Sequence, residues 1–331
     1  MKLDHSIGAT LLITIVATLG AGCSQSNTEN NNAASSATKE SSHTDRLKPA
    51  TKESEILDKN TPAVHTKANP EAIKKIPNSY HFAEKGYFTV AVGSFDFAPL
   101  VTLASDNKTR IGVEVDAANL LADSLGLKLK IVPTTWENWP LGIVSSKFDA
   151  VFANITVLKE REEKYDLVTY RKDSSVFYVN EQSKIKEINN ADDISGLKIA
   201  AGSGTNTEKA LLKWIADNKK KGLKPAELVN FDNGAGTALA LQANRIDVMV
   251  LPSAVGKWQQ LNGAKIKAVG LVEAPTDVAI VLKKGTGLSK AVQSAFNGLV
   301  ASGEYAQALA RWNLQDDVIT ESLINPPVKA E

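Results

Sequence analysis

Sulfur is nearly absent from this sequence, whose 331 residues include one cysteine and two methionines. A single thiol excludes an internal disulfide framework and a cysteine-rich zinc site. Histidine is also scarce: His5, His43, His65 and His81 are the only four. The chain beyond residue 81 therefore has no material for a Ser-His-Asp or Cys-His nucleophilic site, nor for a typical zinc centre. No charge of one sign predominates, since 38 basic residues face 37 acidic ones for a net charge of +1. Such a balance creates no field that favours nucleic acid or an anionic membrane as the main partner. No apolar run reaches the ~20 residues that a membrane-spanning helix requires. Hydrophobic residues nevertheless make up 43% of the chain, enough for one large core or two ordinary ones.

The N-terminus differs from the rest. Lys2 precedes the apolar run Ile7 to Leu19, then come Gly20, Ala21, Gly22 and Cys23. The run has the length and flanks of an export signal, residues 1–22. Its end resembles the lipobox of bacterial lipoproteins, which implies lipidation of Cys23 and retention at a membrane surface, in the periplasm or at the cell surface. Gly20 departs from that pattern, where an apolar residue is usual. An ordinary cleaved signal is the alternative, and it too exports the protein. The following stretch, rich in Asn, Ser and Thr, buries too little apolar surface to fold. Residues 23–80 are expected to be a disordered, lipid-anchored linker reaching roughly 40 Å.

Beyond residue 80, β-rich runs alternate with helical patterns. "FTVAVG" (88–93), "KLKIVPT" (128–134), "DAVFAN" (149–154) and "KIAAGSG" (198–204) read as strands or strand ends. "EVDAANLLADSLG" (114–126) reads as a helix closed by Gly126, with Val115, Ala118, Leu121, Ala122 and Leu125 on one face. "TNTEKALLKWIADNKKK" reads as a helix with Leu211, Leu212 and Ile215 inward, and 288–314 as two helices broken near Gly303. The stretch after Trp312 reads as loose. Repeated strand–helix–strand units predict an α/β fold.

Four segments taken in order carry a resemblance: "GVEVDAANLLADSLGLKLKIVPTTWENW", "FDAVFANITVLKEREEKYDLVTYR", "LKIAAGSGT" and "ASGEYAQALARWNL". They resemble the successive motifs of the amino-acid-type extracellular solute-binding proteins (family 3) of bacterial ABC importers. The resemblance implies a type II periplasmic-binding-protein fold, with two α/β lobes joined by two crossing strands around a ligand cleft. Lobe 1 would comprise 81–173 and 273–325, lobe 2 would comprise 174–272, and 326–331 would be a tail. It further implies a monomer that captures a small solute and delivers it to a membrane permease, with no cofactor, no metal and no catalysis.

Arg161 lies just past the strand 149–154. A guanidinium grips a carboxylate through two parallel N–H bonds, and Thr156 and Asn154 add a hydroxyl and an amide nearby. Read alone, Arg161 fits a surface ion pair within "KEREEK" better than a ligand contact. By resemblance it holds the ligand's α-carboxylate beside Thr156. "GSGTNTE" (202–208) starts a helix whose free N–H groups suit an anion, and Thr205 also suits a helix cap. By resemblance Thr205 and Asn206 reach the same carboxylate from lobe 2. Phe97 and Trp136 match the rings that cover the ligand, although aromatics in such places are core residues as often. Trp139 reads as packing.

One departure bears on specificity. Where many amino-acid binders have an acid for the ligand's ammonium, this chain has Pro252 followed by Ser253, and Ser94 replaces a second acid. The carboxylate grip is kept, while the ammonium grip is lost or moved, so the expected ligand bears an acidic group with its amine absent, substituted or held otherwise. Asp247 stands one step too early and reads as structural. An enzyme on this fold, such as the dehydratase branch of the family, would need a cleft acid or base from Glu114, Asp116 or Glu137. Glu114 and Asp116 read instead as orienting the elements they join. A sensor role would need a separate receptor partner. The scarcity of sulfur suggests economy during sulfur starvation, and so import of an organosulfur compound such as a sulfonate or sulfinate. Under that reading, transcript levels rise when sulfate is withheld, and unchanged levels remove it.

Overall fold

The computed structural model describes residues 57, 58, 60, 61, 63–231 and 234–328. The expected signal peptide, Cys23 and the N-terminal part of the expected linker lie outside the described residues. The described part begins with a helical turn, α1 (Pro70–Ile73), capped by the Asn69 side chain and led by a proline. Next come β1 (Tyr87–Gly93), the hairpin of β2 (Thr102–Leu103) and β3 (Arg110–Ile111), and α2 (Val113–Ser124). β4 (Lys128–Thr134), α3 (Trp139–Val144), β5 (Ala150–Thr156), the turn α4 (Lys159–Glu162) and β6 (Tyr165–Asp173) follow. A second run holds β7 (Ser175–Asn180), β8 (Lys198–Ala200), α5 (Asn206–Lys220), β9 (Glu227–Val229) and α6 (Gly234–Gln242). It continues with β10 (Val248–Pro252), α7 (Ser253–Leu261) and β11 (Ile266–Leu271). β12 (Thr276–Lys283), α8 (Leu288–Ser302) and α9 (Glu304–Arg311) complete the regular elements.

These strands form two five-stranded sheets, ordered β4-β1-β5-β12-β6 and β11-β7-β10-β8-β9. In the first, β1 pairs in parallel with β4 and β5, and β12 runs antiparallel between β5 and β6. In the second, β8 pairs in parallel with β9 and β10, and β7 runs antiparallel to β10 and β11. Continuous apolar strands such as Phe88 to Val92 are wholly buried, as expected where helices cover both faces of a sheet. The chain passes from the first sheet to the second at Ser174 and returns between Leu271 and Thr276. Two short crossings thus join two α/β lobes, and parallel strand ends at a crossing are where such folds bind ligands.

Three expectations need correction. Val64 to Tyr80, placed in the disordered linker, packs on the first lobe: Ala72 is fully buried, and Val64, Ile76 and Tyr80 sit against the core. The Asn69 cap and Pro70 start a helix there, and a few apolar side chains suffice because α8 provides the other face. The stretch after Trp312 is not loose. Leu314, Ile319 and Ser322 are buried, and Ile324 bridges to Val168 on the open edge of β6. Leu212, expected inward, is 53% exposed, while Leu211 and Ile215 are buried. The helix is only three turns or so of core contact, and one apolar stripe through Leu211 and Ile215 fills it.

The break between the last two helices falls at Gly303, as the sequence suggests, because its backbone is left-handed (φ 83°). Gly256 is required for a different reason. A Cβ there would stand 2.0 Å from the buried ring of Tyr178. Gly256→Ala is expected to destabilise the fold by about 1–3 kcal/mol through overpacking, read as a lower midpoint of urea denaturation. An unchanged midpoint would mean that Tyr178 has room to move.

Candidate functional site

A cleft of about 590 Å³ lies at the crossings, with walls from both lobes. Of the sequence-identified residues, Phe97, Trp136, Asn154, Thr156, Thr205 and Asn206 line it. Arg161 and Ser253 are not among its lining residues.

Arg161 leaves the acids of its own turn and makes no ion pair among the described residues. Its guanidinium donates to the Thr156 carbonyl at 2.8 Å and lies 5.5 Å from the centre of the Trp136 ring. Burial pushes its pKa below the usual arginine value, partly offset by Glu160 and Tyr165. The surface-pair reading therefore fails: the half-buried guanidinium lies against the Trp136 ring, its charge desolvated and only partly offset by Glu160. Such a charge is stabilised by an anion delivered from outside the protein.

Trp136 also reaches the other lobe, donating its indole N–H to the Gly204 carbonyl at 3.2 Å. Gly204 has a left-handed backbone (φ 69°), and a Cβ on it would stand 3.5 Å from the indole nitrogen. A second bridge across the cleft pairs Lys209 with Glu160 at 3.8 Å. Phe97 stands edge-on to Phe95, 5.6 Å between ring centres, and Phe95 shares the lining although sequence reasoning passed over it.

Thr205 caps α5: its hydroxyl accepts from the Glu208 N–H at 3.1 Å and donates to the Gly202 carbonyl at 2.8 Å. The cap aims the first turn of α5 at the cleft, where its leading N–H groups have no partner within the helix. Asn206 donates its side-chain amide to Glu273 at 2.8 Å. Ser253 departs from expectation, because its N–H and hydroxyl both go to Asp173 Oδ1, at 3.0 and 2.7 Å. The nearby acid draws both donors away from the cleft, leaving Pro252 as the lining residue.

Sequence reasoning missed the network beneath the cleft. Arg171, on the exit of β6, has no exposed surface. It bonds Asp173 at 3.1 Å, Asp317 at 3.4 Å and the side-chain oxygen of Asn154. Asn154 adopts the left-handed conformation (φ 50°), which asparagine tolerates better than most residues. Its side chain is committed to Arg171 and its N–H donates to Glu114 at 2.7 Å. Glu114 also accepts from the Tyr170 hydroxyl at 3.1 Å. The signal available was an Arg and an Asp two apart on one strand face, Arg171 and Asp173, between the apolar stretches of two strands. As expected, Glu114 orients α2 against β5, and Asp116 accepts from the Trp312 indole at 2.8 Å. Asp247 accepts from the Lys198 N–H at 2.8 Å, the structural place foreseen for it.

The lining carries four carboxyl groups, Glu114, Glu137, Asp173 and Glu273, and no Lys, Arg or His among the described residues. The absence of an acid at Pro252 therefore does not make the cleft acid-free.

Residues 90–315 match the family described as bacterial extracellular solute-binding proteins, family 3. The L-cystine-binding protein TcyJ of Escherichia coli is 26% identical over 227 residues, covering 68% of this chain and 82% of that protein. The arginine-binding protein ArgT of Corynebacterium glutamicum is 24% identical over 260 residues, covering 77% and 83%. Among solved structures, a putative L-cystine ABC transporter protein from Listeria monocytogenes superimposes with a TM-score of 0.62 at 23% identity, covering 71% of this chain and 99% of that one. No helix among the described residues is long and apolar enough to cross a membrane.

Burial raises the Glu114 pKa, with Arg171 and its hydrogen bonds opposing. A carboxyl raised on folding contributes stability that is complete below its unfolded value of about 4.3 and is lost as pH rises towards the folded value. Gln at this position cannot ionise and keeps an oxygen for the two donors. Glu114→Gln is therefore expected to gain stability relative to the unsubstituted protein as pH rises from about 4 to 8, followed by urea denaturation. Parallel pH profiles would show that Arg171 cancels the burial.

Proposed function

The chain belongs to the bacterial extracellular solute-binding proteins, family 3, and we propose that it captures an amino-acid-type solute outside the cytoplasmic membrane and passes it to an ABC permease. The observation that carries this reading is Arg161, a half-buried guanidinium over a cleft-wall tryptophan, with no ion-pair partner among the described residues. In this reading the ligand's carboxylate takes the guanidinium and the Thr156 hydroxyl from lobe 1. It takes the leading N–H groups of α5, around Thr205 and Asn206, from lobe 2. A group held from both lobes stabilises the closed arrangement, and closure is what the permease reads. The aromatic rings of Phe97 and Trp136 cover the ligand and exclude water. Ser253 acts through Asp173 rather than on the ligand.

The protein is exported and held at the membrane surface by lipidated Cys23, with the low-complexity segment as its tether. It works by binding, without turnover. Two matched relatives are named for L-cystine and L-arginine, so those amino acids head the list of probes. The scarcity of sulfur in this chain is a further reason to include cystine.

Calorimetry with L-cystine, L-arginine and L-glutamine is expected to find a micromolar or tighter ligand that is recovered chemically unchanged. Arg161→Lys is expected to weaken its binding by about tenfold or more, because lysine cannot supply the paired donors. A recovered product in place of the ligand would make the protein an enzyme. Equal affinity in Arg161→Lys would move the carboxylate elsewhere.

A further inference from the structure

We propose that Glu273, on the second crossing, has taken over the ammonium-binding role that Pro252 cannot perform, so that the site accepts an α-amino acid with a free amine. The inference rests on the reading of the cleft as an amino-acid site and identifies the group that recognises the amine.

The register of the second sheet places Glu273 for this task. Pro252, at the end of β10, stands opposite Ser175 on β7. The Ser175 carbonyl in turn accepts from the N–H of Val272, the residue after β11. Pro252, Ser175 and Val272 thus form one row across three neighbouring strands, at the edge of the sheet that faces the cleft, and Glu273 is the next residue. Adjacent strands lie about 4.8 Å apart, so the glutamate starts two strands from the proline. A glutamate side chain reaches about one such spacing, and Glu273 and Pro252 both line the cleft. Glu273 bonds Asn206, which belongs to the helix following β8. Since β7 and β10 lie between β11 and β8, a bond from a residue after β11 to one after β8 passes across their ends. The carboxylate is therefore turned toward the β8 side of the sheet, the side on which Pro252 lies from it.

Its chemistry fits the same role. One oxygen of Glu273 takes the Asn206 amide, and no Lys or Arg among the described residues pairs with it. The other three cleft carboxyl groups are occupied or peripheral. Asp173 holds Arg171 on one oxygen and the Ser174 and Ser253 donors on the other. Glu114 lies beneath the surface with two donors, and Glu137 is exposed at the rim. The neighbour of Glu273, Asn206, opens the helix expected to bind the carboxylate. An α-amino acid carries ammonium and carboxylate on one carbon, so adjacent partners are what it requires. A glutamate reaching over from the crossing supplies them with a longer arm than an aspartate on β10 would need.

The test is calorimetry on Glu273→Gln, which keeps the size of the side chain and an acceptor for Asn206, using L-arginine, L-cystine and L-glutamine and the N-acetyl derivative of each. The expected result is a loss of about 10- to 100-fold for the free amino acids, with the N-acetyl derivatives binding both proteins equally weakly. Undiminished binding of the free amino acids by the variant overturns the role of Glu273 and leaves the amino-acid reading intact. A loss shared equally by N-acetyl derivatives also overturns it, since the glutamate would then serve only to hold Asn206. If the unsubstituted protein binds N-acetyl derivatives as tightly as free amino acids, no amine is recognised and the proposal falls while the carboxylate site stands. Failure of every free amino acid and every derivative to bind the unsubstituted protein overturns both readings.

Discussion

Arg171 is a guanidinium with no exposed surface, set where the chain leaves one lobe for the other. Its position depends on charge compensation, because an unpaired buried ion costs several kcal/mol. Asp173 comes from the same strand, Asp317 from the segment after the last helix, and Asn154 from the strand that leads to the cleft-lining Thr156. Each partner is thereby held at the floor of the cleft. The segment after Trp312 is held by this pairing as well as through its apolar contacts, since Asp317 adds a second carboxylate to the buried Arg171. Asp173 carries the same constraint into the second lobe through two bonds to the start of α7.

Above this floor the cleft lining carries acids and no basic side chain among the described residues. Acids line the lumen, while the Arg161 guanidinium lies against the Trp136 ring and Arg171 is buried beneath Asn154 and Asp173. Trp136 links three functions of the site. It stacks on the charge of Arg161, forms a wall of the cleft, and donates across it to Gly204. A contact between lobes is thus made by a residue that also lies against Arg161, joining the two walls of the cleft. The hinge is short, a single residue at Ser174 and four residues between Leu271 and Thr276, so rotation is confined to few backbone dihedrals. Both crossings place acids at the cleft, Asp173 on one and Glu273 on the other.

The two α/β lobes were legible in local pattern. Buried parallel strands leave continuous apolar runs, and the helices between them leave a 3.6-residue period, so both survive in a linear reading. Thr156, Trp136 and the start of α5 were legible as cleft residues because they sit at strand ends and helix starts, while the role expected of Arg161 came from the family resemblance and not from local pattern. The docked segment from Val64 to Tyr80 was misread because its neighbours are polar and its apolar partners lie on α8, more than two hundred residues away. Leu212 was misread because a helical period alone does not say how wide a stripe the neighbouring sheet will cover.

The amino-acid sequence by itself determined the strand and helix alternation, the export-signal pattern, and the presence of one well-placed arginine with hydroxyl and aromatic companions. Those features depend on residues within a few positions of one another. Tertiary structure decided the charges. It brought Arg171 to Asp317 across 146 positions and Asn206 to Glu273 across 67, and it turned Ser253 from the cleft to Asp173. Electrostatic roles depend on which groups share a low-dielectric space, and only chain folding determines that company.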